Sequence, residues 1–155
     1  MKITDILLAE HVVFHNIFDH IEKALPQLKS LAEVRALAAL LEDLLQGHSR
    51  TEDDLLLAPL EHCLEQIGQR DTFEHEHQEV DINLQRVRKA RTLPEARRLL
   101  QHAVTYSRKH FDHEERILFP MAEKVLKTTT LRQLGQAWLK RRDAIPTGAL
   151  GTTPD

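Results

Sequence analysis

Three observations predict an all-α protein. Apolar residues recur at alternating intervals of three and four along four long stretches, the spacing of a buried helix seam. Capping residues open these stretches and prolines punctuate their ends. Glycine is scarce, five in 155 residues, and β-branched runs that would favour strands are few. The architecture expected from four long helices with short connections is an antiparallel up-down four-helix bundle, followed by a short fifth helix.

The first helix is expected to be capped by Thr4, with Ile3 and Leu8 as a hydrophobic staple. Its seam runs Leu7, His11, Phe14, Phe18, Ile21 and Leu25, up to Pro26. The second opens with a capping box, Ser30 to Glu33, and its seam reads Val34, Leu37, Leu41, Leu44, His48, Glu52 and Leu55. Pro59 breaks or bends it, and Leu60 to Ile67 adds another turn or two. The third begins near Asp71 and carries Phe73, His77, Val80, Leu84 and Val87. The fourth opens at Thr92-Leu93-Pro94-Glu95 and runs Ala96, Leu99, Ala103, Ser107, His110, Glu114, Ile117 and Met121. A fifth starts near Thr130, with Trp138 covering one end of the bundle. Residues 1–142 therefore read as one domain, and 143–155 as a mobile tail of loop composition.

Polar residues interrupt the seams in a repeating order: one His, then His-x-x-x-Glu, stated twice. These residues are His11, His48 and Glu52, then His77, His110 and Glu114. Residues four apart on a helix share a face, so each His-Glu pair can grip a cation from one side. The spacing from His11 to His77 is 66 residues and from His48 to His110 is 62, which suggests halves related by a pseudo-twofold axis. Glu10-His11 and Glu76-His77 repeat as dipeptides as well.

Six polar groups in an apolar core are costly unless they find partners, and metal ligation turns that cost into folding energy. Four imidazoles with two carboxylates suit iron, manganese or zinc rather than magnesium or calcium. One carboxylate from each half can bridge two ions, leaving coordination open for a small ligand. His15, four residues after His11, is a further candidate ligand. His20, His62, His75, His102 and His113 fall off the seams and read as solvated or rim residues; Asp112 and Glu115 point away by phase. Tyr106 reads as core filler and Cys63 as a structural thiol. No His-Glu-x-x-His, Gly-x-Ser-x-Gly, P-loop or Cys-x-x-Cys motif occurs, and a single Glu-x-x-His, Glu74 to His77, lacks the second copy a ferritin-type centre needs.

The pattern His11, His48-x-x-x-Glu52, His77, His110-x-x-x-Glu114-Glu115-x-x-Leu118-Phe119-Pro120 resembles the hemerythrin-like, or HHE cation-binding, family over residues 4 to about 125. The resemblance implies two non-haem iron ions, carboxylate- and oxo- or hydroxo-bridged, with zinc or manganese as alternatives. By that analogy His11 and His48 hold one ion, His77 and His110 the other, and Glu52 and Glu114 bridge them. The respiratory oxygen carriers of the family have a His-x-x-x-His pair on the third helix and His-x-x-x-x-Asp on the fourth. Here Phe73 and Asp81 flank His77 at four residues, so one imidazole is missing unless His15 supplies it. That departure argues against reversible oxygen transport.

The remaining expectations concern function class. Charge is nearly balanced, 21 Lys plus Arg against 24 Asp plus Glu, so no basic footprint for nucleic acid is present. No window is apolar enough for a membrane span, and a single cysteine with no signal-like start predicts a cytoplasmic protein. No general base or cofactor motif points to an organic substrate, so the chain reads as a metal-binding or sensor protein whose only catalysis would be redox chemistry at the metals. Its expected ligand is oxygen, peroxide or nitric oxide, in sensing, iron handling or stress protection. Two alternatives remain: a regulatory module gated by iron occupancy, with a protein partner or homodimer, and a zinc-stabilised structural bundle.

Overall fold

A computed structural model describes residues 1–143, all helical apart from short connections. Of the tail expected at 143–155, Asp143 closes the last helix and 144–155 lie outside the described residues. Helix α1 spans Ile3–Ala24 and ends in a tight turn at Leu25–Gln27, set by Pro26. Helix α2, Leu31–Glu52, runs through a wide π turn at Asp53–Leu57 into α3, Ala58–Gln66. Helix α4 spans Arg70–Lys89. Helix α5, Leu93–His113, runs through a second π turn at Glu114–Leu118 into α6, Phe119–Val125. These four rods form the bundle, and α7, Thr128–Asp143, packs along α1.

Two helix starts carry the expected side-chain caps. The Ser30 hydroxyl accepts from the Glu33 N–H at 3.2 Å while the Glu33 carboxylate accepts from the Ser30 N–H at 2.9 Å. Thr92 caps α5 in the same way, accepting from the Glu95 N–H at 3.3 Å. Thr4, by contrast, is no cap. Helix α1 starts two residues earlier, with Lys2 in the cap position; Asp5 accepts the Lys2 N–H, and the buried Thr4 hydroxyl donates to Glu123. Helix α4 begins at Arg70 with no side-chain cap, after Gly68 turns the chain at φ +68°.

Neither Pro59 nor Pro120 breaks its rod. A proline ring inside a helix clashes with the carbonyl four residues back, and a wider turn relieves that clash. Accordingly the residue before each proline donates five residues back, Ala58 N–H to the Asp53 carbonyl and Phe119 N–H to the Glu114 carbonyl. The extra residue shifts the phase of the helix beyond it. Leu118 and Ala122 are buried, whereas the expected seam residues Ile117 and Met121 are exposed and half-buried. On α2 the buried stripe is Val34, Ala38, Leu41 and Leu45, and Leu44 lies exposed. That helix is apolar on two adjoining stripes, so spacing alone cannot choose between them.

The core has two compartments. One gathers Phe14, Phe18, Leu41, Leu45, Leu84, Leu100 and Phe111, with Tyr106 half-buried against it. The other gathers Ile3, Leu7, Leu56, Leu60, Phe73, Leu118 and Leu131, with Trp138 packed on its edge. Along every rod, the interrupting His and Glu residues fall between the two.

Candidate metal centre

His11, His48, Glu52, His77, His110 and Glu114 are all buried, the first three and Glu114 at 0% exposure. Their ligand atoms form two groups within which every atom lies within 4.8 Å of the others: His11, His48 and Glu114, and Glu52, His77, His110 and Glu114. Glu114 belongs to both. Its carboxylate lies 3.2 Å from His11 Nε2, 3.2 Å from His77 Nε2 and 2.7 Å from His110 Nε2. Glu52 lies 3.5 Å from His77 Nε2 and 3.8 Å from His48 Nε2. The rings pair in the same sense, with centroids 5.1 Å apart for His11 and His48 and 4.7 Å for His77 and His110.

An outer carboxylate holds each imidazole from behind. His11 Nδ1 lies 2.8 Å from Glu115, His48 Nδ1 2.8 Å from Glu10, His77 Nδ1 2.8 Å from Asp53, and His110 Nδ1 2.9 Å from Glu76. An ionised carboxylate only accepts, so each Nδ1 carries a proton and donates it. In the neutral ring the Nε2 lone pair is then turned inward, which is the tautomer and orientation a metal ligand needs. These outer partners cross the bundle in a repeated way. The acid before the first-helix or third-helix His serves the His of the next rod, and the acid after Glu52 or Glu114 serves the opposite half.

The site's residues fit a bound cation. The buried Nε2 atoms of His11, His48 and His110, both Glu52 oxygens and one Glu114 oxygen have no hydrogen-bond partner in usable geometry. Orphaned acceptors that face one another at this depth are destabilising without a positive charge among them. In the metal-free chain, protons partly fill that role. Burial pushes the His77 imidazole down, but Asp53, Glu114 and Glu52 outweigh it and raise it to about 12. Burial opposes His110 likewise, and Glu114 and Glu76 lift it to about 9. Burial would raise Glu114, but the His110, His11 and His77 imidazoles hold it well below the usual carboxylate range. Burial and then the Glu114 charge raise Glu52.

A model of the hemerythrin HHE cation-binding domain matches residues 2–122. The chain belongs to the hemerythrin HHE cation-binding family. Among curated proteins and solved structures, none matches the chain. Membership in this family, with the buried His and Glu groups, makes this a cation-binding domain, and no helix among the described residues is long and apolar enough to cross a membrane.

His15 is not brought to the cluster. Its Nδ1 accepts from the Arg108 guanidinium at 2.9 Å, in a surface network with Asp19 and Glu22, and burial and then Arg108 lower its pKa. Two residues expected at the periphery have partners at the site. Glu115, part-exposed on the second π turn, reaches His11 Nδ1, and His113 pairs with Glu76 at 3.0 Å while stacking on Phe73. The outer acids were signalled by the repeated Glu-His dipeptides and by acids following Glu52 and Glu114.

The two groups differ in surroundings. His11 stacks on Phe111 with centroids 3.9 Å apart and lies 5.3 Å from Phe119, while Phe14 packs against His48 and Phe111. His77 instead backs onto a polar cleft of about 220 Å³ between α2 and α4, lined by Ser49, Arg50, Asp53, Glu74 and Asp81.

Proposed function

We propose that this HHE domain holds two iron ions, one at His11 and His48, the other at His77 and His110, with Glu114 shared and Glu52 on the second. Bound iron would supply small-ligand binding and one-electron redox chemistry towards oxygen, peroxide or nitric oxide. The protein's residues supply the rest. Glu10, Asp53, Glu76 and Glu115 fix the imidazole tautomers, and Phe14, Phe111 and Phe119 keep water from the His11 side. Ligand entry is assigned to the α2/α4 cleft, because His77 borders it. With one imidazole fewer than the respiratory carriers, the role that fits is sensing, iron handling or protection, in the cytoplasm.

The observation that supports this reading most is the set of four imidazoles, each oriented from behind by its own carboxylate. The test is anaerobic loading with ferrous ion followed by air. Two irons per chain with the near-ultraviolet absorption of a coupled ferric pair are expected. Two retained zinc ions with no iron-dependent spectrum would support a structural bundle instead.

A further inference from the structure

Helix α7 lies beyond the residues matched by the family model, yet its last turn reaches the metal centre. Glu10 uses one carboxylate oxygen to accept from His48 Nδ1 at 2.8 Å and the other to accept from Arg142 at 2.8 Å. The Arg142 guanidinium also lies 5.0 Å from the Trp138 ring centroid on its own helix. It packs beside Gly47, where a Cβ would sit 3.4 Å from it, next to His48 in sequence. Midway along α7, Gly135 lies against the α1 start, where an added Cβ would stand 3.2 Å from the Ile3 nitrogen and collide with the Met1 carbonyl. The exposed Arg141–Asp54 pair at 2.7 Å adds little, since surface ion pairs are weak.

The pseudo-twofold counterpart differs. On the other half Glu76 accepts from His110 and from His113, a residue within the bundle itself. The fold therefore does not require a cation from outside the bundle to hold the outer acid. Arg142 is an added link on the His11/His48 half alone.

Resting on the metal-binding reading just given, we infer that α7 is a metal-coupled clamp: Arg142 positions His48 through Glu10, and a cation at His11/His48 tightens α7 onto the bundle. A metal on Nε2 makes the Nδ1–H more acidic and its bond to Glu10 stronger. Arg142, bonded to the other carboxylate oxygen, holds Glu10 aligned to receive that bond. Linkage then makes the effect reciprocal, because whatever strengthens metal binding through Glu10 is returned as stronger α7 docking. The surface bearing α7 would thus change its docking with iron occupancy, giving a partner something to read.

Zinc, which is redox-silent, is the probe, with the full chain. Hydrogen exchange of α7 amides and acrylamide quenching of Trp138, the only tryptophan, report docking. Zinc is expected to slow α7 exchange by about fivefold or more, the lower end of typical coupling. In Arg142→Gln that difference should vanish, and zinc affinity for one of the two positions should fall roughly 10-fold, the usual scale for an outer partner. Arg142→Lys should restore part of both. Gly135→Ala, which displaces α7 while leaving Glu10 and Arg142 themselves unchanged, should weaken the same position. Two zinc ions bound with α7 exchange unchanged, or with affinity indifferent to Arg142→Gln, would overturn the clamp alone. No zinc or iron bound at all would overturn the metal-binding reading with it.

Discussion

Replacing Glu114 with Gln keeps the side chain's shape and removes the one charge common to both groups. In the metal-free chain this anion faces three imidazoles, at 3.2, 3.2 and 2.7 Å. Breaking a buried pair costs about 3–5 kcal/mol, and a chain of this size loses roughly 2–4 °C of Tm per kcal/mol, so a drop on the order of 6–20 °C is expected without metal. Metal at a thousandfold excess over its Kd stabilises the native state by about 4 kcal/mol, or roughly 8–16 °C here. The quantity that isolates ligation is the metal-induced rise in Tm, measured for each variant against its own metal-free form. Scanning calorimetry with zinc and elemental analysis of the loaded protein should show that rise cut to less than half in Glu114→Gln, with fewer than two ions bound. The exposed His102→Gln is the control and should keep both. If Glu114→Gln bound two ions with an undiminished rise, the shared-ligand assignment would be wrong, and Glu114 would be only an internal counter-charge.

The same geometry sets three other outcomes. His15→Gln should leave metal stoichiometry and affinity unchanged, because its ring is engaged with Arg108; a lost ion in elemental analysis would restore it to the ligand set. Asp53→Asn should weaken metal binding about 10- to 100-fold by freeing the His77 tautomer, read by competitive titration with a chelator. The His110 pKa is raised to about 9 from its ordinary 6.5, so its stabilising proton is fully present below 6.5 and is lost as pH climbs through 9. The metal-free Tm should therefore fall across that window while apparent metal affinity rises, since loading must displace the proton; a metal-free Tm that rose from pH 6.5 to 9 would contradict the account.

Most of the site was legible because helix periodicity sorts faces without tertiary information. Four rods each carry polar residues where Leu is expected, and those residues meet. The residues that periodicity misplaced have identifiable causes. A wheel of 3.6 residues per turn placed Ile117 inward, and the π turn at Glu114–Leu118 exposes it and buries Leu118 instead; Glu115, placed outward, stays part-exposed yet reaches His11. On α2, Leu37, Leu40 and Leu44 made a second apolar stripe that spacing could not rank against Ala38 and Leu45; it faces a groove beside Ile17 and Ile21 of α1. The crossed outer acids depend on which rods are neighbours, information that periodicity within a single helix does not contain. His15 shared the phase of a ligand, but only the position of Arg108 on α5 decided its partner.

The polar layer also divides the interior. Oily side chains on one side of it belong to one compartment, those on the other side to a second, and charged or thirsty atoms separate them. Without cations that level holds unpaired polar atoms between two apolar compartments, which makes it the costliest layer of the interior. On the proposed reading, cations held by His11, His48, His77, His110 and Glu114 would tie rods from both compartments together at that level.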